Sequence, residues 1–225
     1  MNRIKVNNFN KFEKFYITII YLTLFVNAYM TNDSMIALIN AFCGITYTFF
    51  AGKGFPICYL FGAIGSLFYC ILALKNSLWG NLLLYGAYYI PMQILGFFQW
   101  NKHLKSDKIE IQKTFLTLKN RILLICISIL FSSLTIFTIY IFGGKSPIMD
   151  GFTTCLSIIG MFLTVQRCIE QWIIWMIVNA ISFLMWFNIA LQGEKVLSTV
   201  FMWGAYFTLA IYFWFMWKKD IKQSR

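Results

Sequence analysis

Apolar runs of 16 to 23 residues recur along the chain, each bounded by polar or charged positions. About 20 such residues are needed for a helix to cross the roughly 30 Å hydrocarbon core of a bilayer, and none of the runs has a charge at its centre. Eight spans are expected: Phe12–Met30, Ser34–Phe50, Phe55–Leu74, Leu78–Trp100, Ile122–Phe142, Met149–Thr164, Trp172–Leu191 and Val196–Trp217. Each span must satisfy its own backbone polar groups in lipid, and the ten-residue alternation of a membrane barrel is absent, so the pattern predicts an all-α integral membrane fold. Composition agrees. The 225 residues are 60% hydrophobic and only 12% charged, where a soluble domain carries about 25% charged residues.

A net charge of +11 would suit a nucleic-acid partner if it formed one face, but the position of the charges argues otherwise. With eight spans, 16 of the 19 Lys and Arg residues fall on one side: Arg3, Lys5, Lys11 and Lys14 before the first span, Lys53 after the second, Lys102 to Arg121 after the fourth, Arg167 after the sixth, and Lys218 to Arg225 at the end. Only Lys75, Lys145 and Lys195 fall on the other. The positive-inside rule then predicts that both termini are cytoplasmic, and the partner implied is the lipid bilayer, with no nucleic acid. The first span follows a basic start but no small-x-small cleavage site, so it is expected to be retained. Cys43, Cys58, Cys70, Cys126, Cys155 and Cys168 lie in or beside apolar spans without C-x-x-C spacing, and are expected as small buried hydrophobes with no metal.

The longest polar stretch, Asn101–Asn120, is the seam of the chain, and a repeat is visible across it. A shift of 118 residues lays Tyr85-Gly86-Ala87-Tyr88-Tyr89 over Trp203-Gly204-Ala205-Tyr206-Phe207. A shift of 116 lays Gly44 over Gly160, Thr48 over Thr164, Ser66 over Ser182 and Asn76 over Gln192. Spans two to four are thus expected to recur as spans six to eight. The fifth is an odd helix that makes the two repeats parallel, one of the two internal-repeat plans of transporters, with substrate held near the midplane. The expected organisation is 1–33, a cytoplasmic N-terminus and extra helix; 34–100, the first three-helix repeat; 101–142, a cytoplasmic linker and inverting helix; 143–217, the second repeat; and 218–225, a cytoplasmic tail.

Within the seventh span, Trp172, Trp175 and Asn179 stand at i, i+3 and i+7, and Ser182 and Trp186 continue the series on one helix face. An unpaired amide in hydrocarbon is costly, so Asn179 is expected against a partner helix or a wet cavity. Interfacial belts use tryptophan and helix contacts use asparagine, and both readings stay open for single residues. The W-x-x-W-x-x-x-N spacing of Trp172, Trp175 and Asn179 resembles the signature of the PnuC family of vitamin transporters. The resemblance runs from about Asn40 to Lys219. It takes in the approach from Asp150 to Arg167, and Tyr89-Ile90-Pro91-Met92-Gln93 followed by Gly96 and Trp100.

That resemblance implies a SWEET-like 3+1+3 fold with one extra N-terminal helix, a homotrimer, and facilitated diffusion of nicotinamide riboside across a bacterial inner membrane, with retention by an intracellular kinase. The candidate substrate-binding residues are Trp172, Trp175, Asn179, Gln93 and Trp186. Tryptophan faces suit a cationic pyridinium, at about 0.5 to 2 kcal/mol per ring. The amides of Asn179 and Gln93 offer donors and acceptors for a carboxamide and ribose hydroxyls. Gln93 has a second reading as a brace for the kink at Pro91, and Trp186 as a gate or belt residue. Thiamine, another aromatic vitamin or nucleoside, or a non-transporting membrane protein are the alternatives. None of the eight acidic residues lies in the middle of a span, which disfavours ion coupling. His103 is expected to be solvated in the linker. With no P-loop, nucleophile elbow or metal-ligand spacing, neither an enzyme nor a cofactor is expected.

Overall fold

The computed structural model describes residues 9–31, 35–75, 82–106, 109–141, 143, 147–192 and 197–223. Arg3, Lys5, Asn76, Lys108, Lys145, Lys195 and Arg225 lie outside the described residues. Among the described residues eight helices follow one another: α1 Lys11–Thr31, α2 Met35–Lys53, α3 Cys58–Lys75, α4, which includes a π-helical segment Leu84–Tyr89 and continues as Ile90–Lys102, α5 Leu118–Ile141, α6 Pro147–Val165, α7 Gln171–Leu191 and α8 Leu197–Gln223. Among the described residues, four helical segments are long and apolar enough to cross a membrane: Leu118–Ile141, Pro147–Val165, Gln171–Asn188 and Thr199–Gln223. A shorter apolar helix covers Cys58–Ile71. The protein is an all-helical, multi-pass membrane protein.

Hydroxyl side chains are accommodated in these apolar helices because they bond back to the preceding turn. Thr46 donates to the Phe42 carbonyl at 2.7 Å, Thr48 to Gly44 at 3.0 Å and Thr164 to Gly160 at 2.8 Å. The π segment of α4 has a local cause. Pro91 has no N–H, and its ring crowds the carbonyl four residues back. The widened turn instead pairs the Ile90 N–H with the Tyr85 carbonyl, the i to i−5 bond of a π-bulge.

Helices α2, α3 and α4 pack in sequence, as do α6, α7 and α8, and the two groups meet where α2 contacts α8 and α4 contacts α6. Helix α1 lies on α2 and α8, and α5 on α6. Both α2 and α6 end in a left-handed residue, Gly54 at φ 75° and Arg167 at φ 61°. In each, the next two N–H groups return to the last turn in a Schellman motif: Gly54 to Ala51 and Phe55 to Phe50, Arg167 to Thr164 and Cys168 to Leu163. Glycine adopts this conformation freely; arginine does not. Arg167 is held there by tertiary bonds, its guanidinium donating to the Gln112 carbonyl at 3.0 Å and its own carbonyl accepting the Thr114 N–H at 2.9 Å.

Those bonds belong to the linker between α4 and α5, whose described residues form a strap. Leu104 and Ile111 form an antiparallel bridge, Ile111 is fully buried and its N–H donates to the Gly54 carbonyl. Thr114 exchanges backbone bonds with Arg167 and Ile169, and Glu170 accepts from the Leu116 N–H and from Arg121. His103 is therefore tied down, its ring nitrogen 2.8 Å from the Gln99 carbonyl at the end of α4. Charged pairs gather at the same end. Asn10 and Glu13 form a reciprocal N-terminal cap on α1, and buried Glu13 also accepts from Lys53 at 3.1 Å and from the Tyr212 hydroxyl at 3.0 Å. Lys113 pairs with Asp220 and lies over the Trp217 ring.

Beneath this strap two buried tryptophans exchange across the groups. The Trp100 indole on α4 donates to the Thr164 carbonyl of α6 at 2.9 Å, and the Trp217 indole on α8 donates to the Gly52 carbonyl of α2 at 2.6 Å. Tyr59 meets Trp100 edge-on at 5.0 Å, and Trp172 meets Trp217 edge-on at 5.7 Å. Four cysteines are buried as expected; Cys70 is half-buried and Cys126 is exposed on the outer face of α5. Trp217→Phe orphans the buried Gly52 carbonyl and is expected to destabilise the protein by about 1 to 3 kcal/mol, whereas Trp100→Phe leaves the Thr164 carbonyl its Arg167 N–H donor and is expected to cost less, about 0.5 to 1.5 kcal/mol. Thermal unfolding in detergent will read this as a lowered midpoint for both variants.

Candidate functional site

A cavity of about 1040 Å³ lies between the two helix groups. From Gln171 at the start of α7 to Trp186 near its end, its lining follows about 22 Å of helix at 1.5 Å per residue. At the strap end the lining is closed, with Gln171 1% and Trp172 2% exposed. At the opposite end Asp150, Thr153, Trp186 and Thr199 are half-exposed and Thr138 is exposed.

All five residues expected from the sequence line this cavity. Helix α7 delivers four of them because Trp172, Trp175, Asn179 and Trp186 share its inward face, while its lipid-side residues Ile173, Ile177 and Leu184 are exposed. Trp172 also belongs to the aromatic floor, 5.5 Å from the Phe213 ring. Trp175 is held by an indole hydrogen bond to the Thr164 hydroxyl at 3.1 Å, and its ring lies against Gly160, where an added Cβ would meet it at 3.1 Å. Asn179 and Ser182, one turn apart, are 4% and 8% exposed. Gln93 comes from α4 and reaches across to α3. The missing side chain of Gly62 makes that approach possible, since a Cβ there would come within 2.5 Å of the Gln93 amide. The amide therefore lies over a neighbouring helix, two residues beyond Pro91.

Other lining residues were not anticipated. Tyr85 and Tyr89 from the π segment, and Tyr206 from α8, form much of the aromatic wall. The Gly-Ala-Tyr blocks on which the expected repeat rests carry these rings, so a sequence signal for them is present. Gln171, Asn40 and Trp203 also line the cavity. Asp150 reaches it from the first turn of α6, outside the middle of its span.

The chemistry of the wall is specific. Several buried polar atoms on it have no partner: Gln93 Oε1, an acceptor, and Gln171 Nε2, Trp172 Nε1 and Trp203 Nε1, all donors. A buried polar atom left unpaired costs about 1 to 3 kcal/mol, which a bound group of complementary polarity recovers. Among the described lining residues there is no Lys, Arg, His or Cys, and Asp150 is the one charged side chain. Such a wall can hold an aromatic molecule bearing hydrogen-bond donors and acceptors; it provides no nucleophile–base pair for catalysis.

The chain is similar to known transporters. A family profile described as nicotinamide mononucleotide transporter matches residues 34–219. The nicotinamide riboside transporter PnuC of Neisseria mucosa is 30% identical over 196 residues, covering 85% of this chain and 74% of that protein. The nicotinamide riboside transporter PnuC of Haemophilus influenzae is 28% identical over 213 residues, covering 92% of this chain and 91% of its own length. The fold superimposes on a crystal structure of the vitamin B3 transporter PnuC with a TM-score of 0.83 and 28% identity, over 96% of this chain and 94% of that one.

The bond that orients Trp175 can be tested without any ligand. Trp175→Phe and Thr164→Val each remove it, and in a double-mutant cycle on thermal stability the pair should be coupled by about 0.5 to 1.5 kcal/mol. Simple additivity would mean that Thr164 does not position the ring.

Proposed function

The chain belongs to the nicotinamide mononucleotide transporter family, and we propose that it carries nicotinamide riboside by facilitated diffusion across a bacterial inner membrane. The observation that carries this reading is the set of partnerless polar atoms on an aromatic wall. Nicotinamide riboside presents a planar cationic ring, a carboxamide with one acceptor and two N–H donors, and ribose hydroxyls. Trp172 and Trp175 supply faces for the ring. The Gln93 oxygen suits the carboxamide N–H groups, the Gln171 and Trp172 donors suit its carbonyl, and Asn179 offers both kinds of partner. A phosphate would require cationic partners, and none lines the cavity among the described residues. The unphosphorylated riboside therefore fits better than the mononucleotide of the family's description.

The same reading covers arrangement and mechanism. Helices α2–α4 and α6–α8 form parallel repeats joined by α5, a SWEET-like 3+1+3 plan with α1 outside it. The reciprocal exchange of Trp100 and Trp217 supports that plan. Rocking of one group against the other would expose the cavity to either side in turn. The 16-to-3 division of basic residues supports cytoplasmic termini and a strap on the inner side. A homotrimer follows the family resemblance, and the uncovered apolar face of α5 leaves surface for it.

Purified protein should take nicotinamide riboside into proteoliposomes, with uptake unaffected when the proton gradient is dissipated. Collapse of uptake under that condition would sink the passive mechanism, and quenching of tryptophan fluorescence by thiamine instead of nicotinamide riboside would overturn the substrate. Asn179→Leu and Trp175→Ala, inserted normally, are each expected to lower uptake at least about tenfold, the loss of roughly 1.4 kcal/mol. Full uptake by both would make the stripe structural.

A further inference from the structure

We infer that Asp150 is the counter-ion at the outer mouth of the cavity, which draws a cationic aromatic solute in and sets the preference for it over a neutral analogue of the same shape. The inference rests on the transport reading above and adds a residue that selects by charge.

Three observations converge on it. First, Asp150 is the one charged side chain among the described residues that line the cavity. Second, among the described residues its carboxylate has no ion pair, whereas Glu13, Glu110, Glu170 and Asp220 each pair with a Lys or Arg at the strap end. Third, it is half-exposed where the lining turns polar, with the hydroxyls of Thr135, Thr153 and Thr199 and the indole of Trp186 on the same cavity. A first-turn carboxylate on α6 is favoured by the helix dipole whichever way it faces. That dipole accounts for an acid at this position but not for its facing a cavity.

The position of the charges explains why such a group matters. Sixteen of the 19 basic residues fall on the strap side, so the excess positive charge does not lie at this mouth. A carboxylate at the rim of a low-dielectric cleft focuses its field on the opening and attracts a cation there. Trp186 adds an aromatic face to the same mouth, so a cation leaving water meets a charge and a ring before it reaches Trp175 and Asn179. A neutral solute would gain nothing from the charge.

The test compares initial uptake into proteoliposomes of nicotinamide riboside, a cation, and of 1,4-dihydronicotinamide riboside, its neutral reduced form. In the wild type the cation-to-neutral ratio should fall as ionic strength rises, because the attraction is screened. Asp150→Asn should lower that ratio about tenfold at low salt and make it insensitive to salt, and Asp150→Glu should restore it. A ratio unchanged in Asp150→Asn overturns the inference, because a purely structural role lowers both uptakes together. If Asp150→Asn fails to insert, a ratio in the wild type that is flat with salt overturns it and a falling ratio upholds it. If the wild type moves neither riboside, the transport reading itself fails and this inference falls with it; if it moves both at a ratio indifferent to Asp150, only the inference falls.

Discussion

The arrangement turns on two indole N–H groups, those of Trp100 and Trp217, each spent on a carbonyl at the end of a helix in the other group. The last carbonyls of a helix have no partner within it. In a membrane protein such a group cannot be buried and left bare without a cost of several kcal/mol. The Gly52 carbonyl has that requirement met by Trp217 of the other group, and the Thr164 carbonyl accepts the Trp100 indole beside the Arg167 N–H of its own helix end. Because both rings are fully buried and meet Tyr59 and Trp172 edge-on, the same residues that satisfy the carbonyls also build the floor of the cavity. The strap over this floor adds a second layer of exchange, binding the left-handed residues Gly54 and Arg167 that terminate the two helices. Closure at this end is thus a consequence of how two helix ends are capped.

The cavity above the floor works by the opposite rule. Where the floor leaves few polar atoms unpaired, the wall keeps Gln93 Oε1, Gln171 Nε2 and Trp172 Nε1 free, held by packing instead of by hydrogen bonds to neighbours. Their positions are fixed by features that carry no polarity at all: the absent side chain of Gly62 beneath Gln93, and Gly160 beside Trp175. The π segment before Pro91 turns a backbone defect to use by carrying Tyr85 and Tyr89 on the wall. A rigid wall with unspent hydrogen-bonding capacity has little to reorganise when a ligand enters, which favours binding by preorganisation. Charge plays a separate part, confined to the far end where Asp150 stands.

Much of this was legible in the chain, for a reason particular to membranes. Hydrocarbon penalises a bare backbone and a free charge, so span positions, the 16-to-3 division of basic residues and the polar face of α7 are written in one dimension. The proposed repeat rests on its Gly-Ala-Tyr blocks, and the ends of the helices do not keep the register of its shift. A shift of 116 residues places Gly54 over Glu170, three residues past Arg167, the residue that shares its left-handed conformation. Point identities among apolar residues do not follow helix ends, because many apolar side chains serve equally well in a span. The linker read as a charged seam, yet Ile111 and Thr114 make it a structural strap; their bonds are to backbone atoms more than 50 residues away in sequence and leave no local pattern.

The sequence by itself determined that the chain is helical, that it lies in a membrane, which family it resembles, and that Trp172, Trp175 and Asn179 share one face. Only the tertiary structure decided what that face meets. It brought Gln93 across α3 over Gly62, set tyrosines of α4 and α8 opposite the tryptophans, closed one end with Trp100 and Trp217, and left Asp150 at the other. Apolar side chains facing lipid and facing protein are chemically alike. Which of them enclose a cavity therefore depends on how helices pack, a property of pairs of distant segments that composition and periodicity do not carry.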